Sequence, residues 1–270
     1  MKSEYKGTKF LNLACGENFI INEKWLNFDF IKREGVNQIN LLEKLPLDDQ
    51  CVDVVYCSHF IEHIPEHMVS SFLTECFRVL KNNGALRVVL PDFEKMVREY
   101  IKMRDLKMEN KAEFMMVSII DQFVRKKPGG KLSHIIEEST KSDDQELKKY
   151  IAERCGDIFK KNNDNHPMND RKLSTKIINM TYRKYISFVT ALLPKSFRDQ
   201  NVSKAEVGEL HAWIYDSTIL TKILSEIGFK NIEEVNYNYT TIREFPITLD
   251  VDTNDTPRKG QDSIFLEARK

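Results

Sequence analysis

Within six residues, Ser58-His59-Phe60-Ile61-Glu62-His63, the chain places two imidazoles, a hydroxyl and a carboxylate, and Asp92 follows one helix and one strand later. An imidazole with an ordinary pKa near ~6.5 can take a proton from a hydroxyl nucleophile, and a neighbouring carboxylate can orient it for that task. His59 and His63 are thus candidate general bases, with Glu62 as the orienting group. Asp92 is a rival base or a substrate ligand, and equally a cap for a helix starting at Phe93. Glu62 and His63 could also simply open the helix that follows them. The chain has no Gly-x-x-x-x-Gly-Lys loop, no His-Glu-x-x-His helix and no Ser-His-Asp ordering.

Such side chains need a scaffold that presents them on one edge. Val52–Ser58 is an apolar run. Val69, Phe72, Leu73, Cys76, Phe77 and Leu80 then recur at helical steps, and Ala85–Leu90 is near-continuously apolar. This reads as strand, amphipathic helix and strand, with Pro65 in the first helical turn and Asn82-Asn83-Gly84 as the stop. Ligands of an open parallel sheet lie outside the carboxyl ends of its strands, so Ser58, His59, Glu62, His63 and Asp92 would share one rim.

Upstream, Lys9–Cys15 and Trp25–Phe30 read as the first two strands and Gln38–Leu42 as a weak third. The link between the first two is shorter than the dozen or more residues that a crossover usually takes. Downstream, Phe93 to Phe123 is helical in pattern and Pro128-Gly129-Gly130 breaks it. Residues 131–206 are irregularly helical, with a loop at Lys160–Arg171 and the most apolar helix at Thr181–Leu193. Asp216 or Ser217 caps a further helix ending at Gly228, and Asn231–Tyr239 and Ser263–Ala268 alternate as late strands.

Composition narrows the class. The chain of 270 residues, 41% hydrophobic and 10% aromatic, suits one large α/β domain or a domain with an insertion. It contains no run of about 18 apolar residues for a membrane span, and its start lacks the apolar stretch of a signal peptide, so a cytoplasmic protein is expected. Five cysteines without a CxxC pair fit buried free thiols better than disulfides or zinc, and no metal is expected. Net charge is zero, but residues 121–206 carry 18 Lys or Arg against 12 Asp or Glu. That excess of six fits a solvated helical surface, or a cap attracting an anionic substrate, and is too dilute for nucleic-acid binding.

Four stretches, KFLNLACGENF, WLNFDF, HFIEHIP with FLTECFRVLKNNGALRVVLPD, and HAWIYDSTILTKILSEIGFKNIEEV, resemble class I S-adenosylmethionine (SAM)-dependent methyltransferases. The similarity covers roughly residues 8–105 and 208–268 and is nearest to the subgroup linked to bacterial capsule and lipopolysaccharide biosynthesis, which shares the short first connection. It implies an α/β fold: a Rossmann-like, mostly parallel sheet closed by a C-terminal antiparallel hairpin, with a mainly helical insertion. Residues 1–120 and 207–270 would form the SAM-binding core and 121–206 a helical insertion or substrate cap.

The resemblance also implies roles. Ala14, Cys15 and Gly16 would form the turn against the methionine part of SAM, although the family's turn is usually richer in glycine. Asp29 would accept both ribose hydroxyls, as acids at this strand end do in dinucleotide folds. Asp48 would contact adenine, with Asp49 an equal rival, and Ser58 and His59 would line the methyl-donor end. His211 could touch the acceptor and Trp213 could stack on a sugar ring, whereas Trp213 and Tyr215 could equally be packing residues. The acceptor implied is a small polar molecule, foremost a hydroxyl of a sugar, phosphosugar or nucleotide-sugar. N-methylation of a small molecule and a non-catalytic binding or regulatory module remain alternatives, and a nicotinamide dehydrogenase is disfavoured by the absence of Gly-x-Gly-x-x-Gly.

Overall fold

The computed structural model describes residues 9–159, 185–205 and 208–270. The expected loop at Lys160–Arg171 and the start of the Thr181–Leu193 helix lie outside the described residues.

The strands are β1 (Phe10–Leu13), β2 (Trp25–Asp29), β3 (Asn37–Gln38), β4 (Val52–Ser58), β5 (Leu80–Pro91), β6 (Lys230–Glu234) and β7 (Ser263–Arg269). Among the described residues they form one sheet in the order β3-β2-β1-β4-β5-β7-β6. Pairing is parallel from β3 through β5, and β7 runs antiparallel to both β5 and β6. This is the Rossmann-like class I methyltransferase fold with its C-terminal hairpin, as the resemblance implied.

Side-chain alternation sorts the strands onto two covered faces. Leu11, Leu13, Val55, Cys57, Leu86, Val88, Leu90, Ile264 and Leu266 point to one face. There they meet α1 (Glu66–Val79), through Val69, Phe72, Leu73 and Cys76, and a late helix, Ser217–Ile227, through Leu220 and Leu224. Phe10, Val54, Tyr56, Ala85, Val89 and Phe265 point the other way and meet Ile242, Phe245 and Leu249. The second face is therefore covered by the excursion between β6 and β7. No helix lies between β1 and β2 or between β2 and β3, so this excursion occupies space that crossover helices would otherwise fill.

Arg87 is turned to that second face and is fully buried. It donates to Asp250 Oδ2 at 2.8 Å and pairs with Glu267. Tyr56 donates to Asp250 Oδ1 at 2.7 Å, and Thr240 and Thr241 donate to Glu267. Phe245 and Phe265 flank the guanidinium at 5.2 and 5.5 Å. One cation on β5 thus ties the excursion to the sheet.

After β5 the chain forms α2 (Phe93–Asp105), α3 (Glu109–Val124), α4 (Gly130–Lys141), α5 (Gln145–Cys155) and α6 (Lys195–Asn201), before α7 (Ser217–Ile227). Met96, Met103, Phe114, Met115, Ile136, Tyr150, Ile151 and Phe159 make a hydrophobic cluster separate from those of the sheet. Packing in the helical region thus begins at Met96, upstream of the expected boundary at residue 121. Gly130, at φ +58°, opens α4 where a Cβ would fall 2.3 Å from the Asp121 carboxylate; that carboxylate accepts from the Lys131 amide at 2.6 Å. No helix among the described residues is long and apolar enough to cross a membrane.

Several boundaries differ from expectation. β3 is two residues rather than Gln38–Leu42, because the chain turns at Asn40, whose Oδ1 accepts from the Leu42 amide at 3.1 Å and whose carbonyl accepts from the Glu43 amide at 3.3 Å. Asn82-Asn83-Gly84 does not stop α1. The helix passes directly into an extended Leu80, and Asn83 (φ +63°) bends the edge of β5 instead.

Replacing Arg87 by Met leaves two buried carboxylates without their cation. Removing one partner of a buried ion pair costs about 3–5 kcal/mol, so the unfolding free energy from urea titration should fall by that amount. A loss below about 1 kcal/mol would show that the network does not hold the excursion.

Candidate functional site

The carboxyl ends of β1, β2, β4 and β5 open onto one rim. After β1, Ala14 (φ +53°) and Gly16 (φ +57°) both adopt the left-handed conformation. A Cβ on Gly16 would meet nothing within 4 Å, so glycine serves conformation there and leaves open space in front of the turn. Asp29 ends β2. Its Oδ2 accepts from the Gly16 amide at 2.8 Å and its Oδ1 from the Ile31 amide at 2.7 Å. Each carboxylate oxygen keeps a further lone pair. Beside Asp29, Phe30 and Ile31 are 59% and 47% exposed, and Leu42 beyond β3 is 37% exposed. Cys15 is buried with its thiol pushed up to about 12, chiefly by burial, so at neutral pH it is a packing group rather than a thiolate.

After β4 the chain turns sharply at His59 (φ +50°), whose amide donates to Val89 O at 2.7 Å. A short 3-10 turn, Ile61–His63, follows. Glu62 is 1% exposed. Its Oε1 lies 3.2 Å from His59 Nδ1 and 3.9 Å from His63 Nε2, close pairs without hydrogen-bond alignment, so both carboxylate oxygens are buried without a hydrogen-bond partner. His59 Nε2 lies 3.3 Å from Ser263 Oγ. His63 Nδ1 donates to Leu210 O at 2.8 Å.

The returning segment supplies the rest. The Ala212 and Trp213 amides donate to Glu62 O at 2.7 and 3.2 Å, and the His211 amide donates to Gln122 O at 3.0 Å. The Gln122 side-chain amide lies 2.8 Å from His211 Nε2, and the His211 ring packs edge-on against His63 at 4.8 Å and against Phe123. His59, Glu62, His63 and His211 thus converge, although His211 lies well over a hundred residues away in sequence; Ser58 ends the strand just before them.

Electrostatics set the protonation states. Burial pushes the Glu62 carboxyl up, but the His59 imidazole, backed by His63 and His211, outweighs it and brings the group down to about 2. Burial lowers His59 below its ordinary value, and Glu62 only partly offsets this. Burial takes His211 to about 4. Near neutrality Glu62 is ionised and the lowered His59 and His211 imidazoles are neutral. With Nδ1–H of His59 turned to Glu62, its Nε2 is left as a proton acceptor.

Other expected residues fall elsewhere. Asp48 precedes β4, whereas Ser58 ends it. Six residue steps at about 3.3 Å each separate the strand's two ends by about 20 Å, so Asp48 lies on the opposite rim from Gly16 and Asp29. Its rival Asp49 pairs there with Arg78 at 2.7 Å. Asp92 is 4% exposed; it caps α2 by accepting from the Lys95 amide at 3.2 Å and pairs with Lys95 Nζ at 3.3 Å. This is the capping alternative expected for Asp92. Tyr215 is buried in the sheet core and Trp213 is 43% exposed, so of these two aromatics only Trp213 offers a face to a ligand. Phe30, Ile31 and Leu42 were not expected; the available signal was an apolar pair immediately after the acidic end of a strand.

A family model described as a methyltransferase domain matches residues 27–88, from β2 into β5. Similar solved structures include a SAM-dependent methyltransferase from Archaeoglobus fulgidus, 14% identical over 98% of this chain and 88% of that one, with a TM-score of 0.41. Another is a putative methyltransferase from Bacillus halodurans, 14% identical over 98% and 94% with a TM-score of 0.37. A third is the CurJ carbon methyltransferase, 8% identical over 98% of this chain and 49% of that one, with a TM-score of 0.40. No curated protein matches the chain. The domain match supports S-adenosyl-L-methionine as the cofactor.

An NMR titration of the His59 ring should give a midpoint below 6.5. Glu62→Gln should move it lower still, because the carboxylate favours the imidazolium. An upward shift in that variant would refute the assigned pairing.

Proposed function

We propose that the protein transfers a methyl group from SAM to a hydroxyl of a small polar acceptor, with His59 as the general base. The observation that carries this reading is the pairing of Gly16 with Asp29 at 2.8 Å on the same rim as the His59–Glu62 pair. Asp29 would hold the ribose hydroxyls, the Ala14–Gly16 turn would face the methionine part, and Phe30, Ile31 and Leu42 would cover the adenine. Ser58, half-buried at the end of β4, would face the methyl-donor end.

When bound, SAM supplies an activated methyl on a positively charged sulfur. The chain's contribution is alignment and proton removal. His59 Nε2 takes the proton from the acceptor hydroxyl as its oxygen bonds to the methyl carbon and the carbon–sulfur bond breaks. Glu62 would favour the tautomer with Nε2 unprotonated, where Ser263 Oγ lies 3.3 Å away, and would stabilise the imidazolium that forms. Trp213, exposed beside His211, offers a stacking face for a sugar ring. The cationic excess of residues 121–206 favours an anionic acceptor such as a phosphosugar or nucleotide-sugar. The placement in bacterial surface-polysaccharide assembly follows from the resemblance and is part of this proposal, as is an intracellular site of action.

Titration with SAM and with S-adenosylhomocysteine tests the cofactor: micromolar affinity, about −8 kcal/mol, is expected. Asp29→Asn should weaken both at least tenfold without unfolding the protein. No binding by either ligand would remove the proposal. With an acceptor found among phosphosugars and sugar nucleotides, His59→Gln should retain SAM affinity while turnover falls by about 10²–10⁴-fold. In the wild type kcat/KM should climb with pH and level off above a midpoint below 6.5, since His59 acts only when neutral. Turnover by His59→Gln near the wild-type rate would exclude His59 as base.

A further inference from the structure

We propose that Glu62, His63 and His211 form a binding site for a divalent first-row cation of the Zn²⁺ type. Among the described residues this is the group whose donor atoms converge, all lying within 4.8 Å of one another. Two imidazoles and one carboxylate are a donor set of catalytic zinc sites, in which a fourth position stays open to water or substrate.

The case rests on lone pairs that face one another. His63 Nδ1 is 2.8 Å from a carbonyl oxygen, Leu210 O, which can only accept, so Nδ1 carries the hydrogen. In the neutral ring Nε2 is then a bare acceptor, and it faces Glu62 Oε1, a second acceptor, across 3.9 Å. Glu62 Oε2 is a third buried acceptor with no donor. Native structures rarely leave buried polar atoms without partners, and an ion is one of the standard explanations. A ligating histidine typically donates its other ring nitrogen to a carbonyl or carboxylate, which fixes its tautomer. Leu210 O does this for His63; the Gln122 side-chain amide lies 2.8 Å from His211 Nε2, and a turn of that amide that presents its oxygen would do the same for His211, leaving Nδ1 to the ion.

The donors need only draw in. An ion about 2.0–2.1 Å from each of them requires separations of about 3.4 Å. The three are held from behind, by Leu210, by Gln122 and by the Ala212 and Trp213 amides on Glu62 O, so short side-chain rotations would close the set. The exposed pair His134 and Glu138, 3.2 Å apart on α4, lacks such support and serves as the comparison.

Binding of the cation does not depend on the methyl-transfer reading, but its use does. Under that reading the open position lies beside His59, where a coordinated acceptor hydroxyl would lose its proton more readily.

The test uses tag-free, chelator-stripped full-length protein titrated with Co²⁺ and followed by visible ligand-field absorption, with Zn²⁺ as competitor. One equivalent should bind the wild type and be displaced by Zn²⁺. Glu62→Gln and His211→Asn should each weaken binding at least tenfold, while His134→Ala leaves it unchanged. Circular dichroism of each variant separates lost ligation from lost folding, and His63→Asn replaces whichever variant fails to fold. Absence of binding to the wild type, or equal affinity in the folded site variants, overturns the site. SAM titration of the same metal-free and metal-loaded samples reads the cofactor separately, so the two proposals can fail independently.

Discussion

The buried carboxylate of Glu62 is the constraint around which the rim is organised. An ionised carboxylate taken out of water is costly unless charges and donors nearby compensate it. Here the compensation comes chiefly from the His59 imidazole in the same turn, 3.2 Å from Oε1. The same residue's carbonyl accepts the Ala212 and Trp213 amides, so the segment returning from the helical region is pinned to the turn after β4. One residue therefore orients the candidate base, sets the protonation of its neighbours and brings in a histidine from a distant part of the chain.

The sheet reaches this arrangement with little supporting structure at its β3 edge. No helices join β1 to β2 or β2 to β3, and short links keep the Ala14–Gly16 turn and the end of β2 close to the rim. The second face still has to be covered, because strands of a buried sheet cannot leave apolar side chains such as Phe10, Val54 and Phe265 in water. The β6–β7 excursion covers it, held by Arg87 between Asp250 and Glu267. Stability and site geometry thus reside on different faces of the same strands, with Tyr56 and Arg87 inside and Ser58 and His59 at the strand end.

Much of this was legible in local patterns. Val52–Ser58, the helix with Val69, Phe72, Leu73 and Cys76, and the apolar β5 were visible because burial imposes periods that a linear sequence displays. Asp216 and Gly228 were readable as the ends of α7, since caps are local chemistry, and the short β1–β2 link was a matter of counting. The misreadings were of another kind. Asn82-Asn83-Gly84 has the composition of a helix stop, yet α1 ends earlier because Leu80 pairs with β4. Asp48 was placed by analogy, and only the direction of β4 shows that it precedes the strand and faces the far rim. Asp92 was equally a base or a cap until its partner, the Lys95 amide, was located.

The sequence by itself determined the order of elements, the sheet class and the clustering of Ser58, His59, Glu62 and His63 after one strand, because each depends on neighbours a few positions apart. Tertiary structure alone decided that His211 joins them, that Glu62 Oε2 is buried without a donor, that Gly16 meets Asp29, and that Phe30 and Ile31 stay exposed. Those are distances between residues separated by a strand, a loop or most of the helical region. They depend on how the chain returns to the sheet, which no local period encodes.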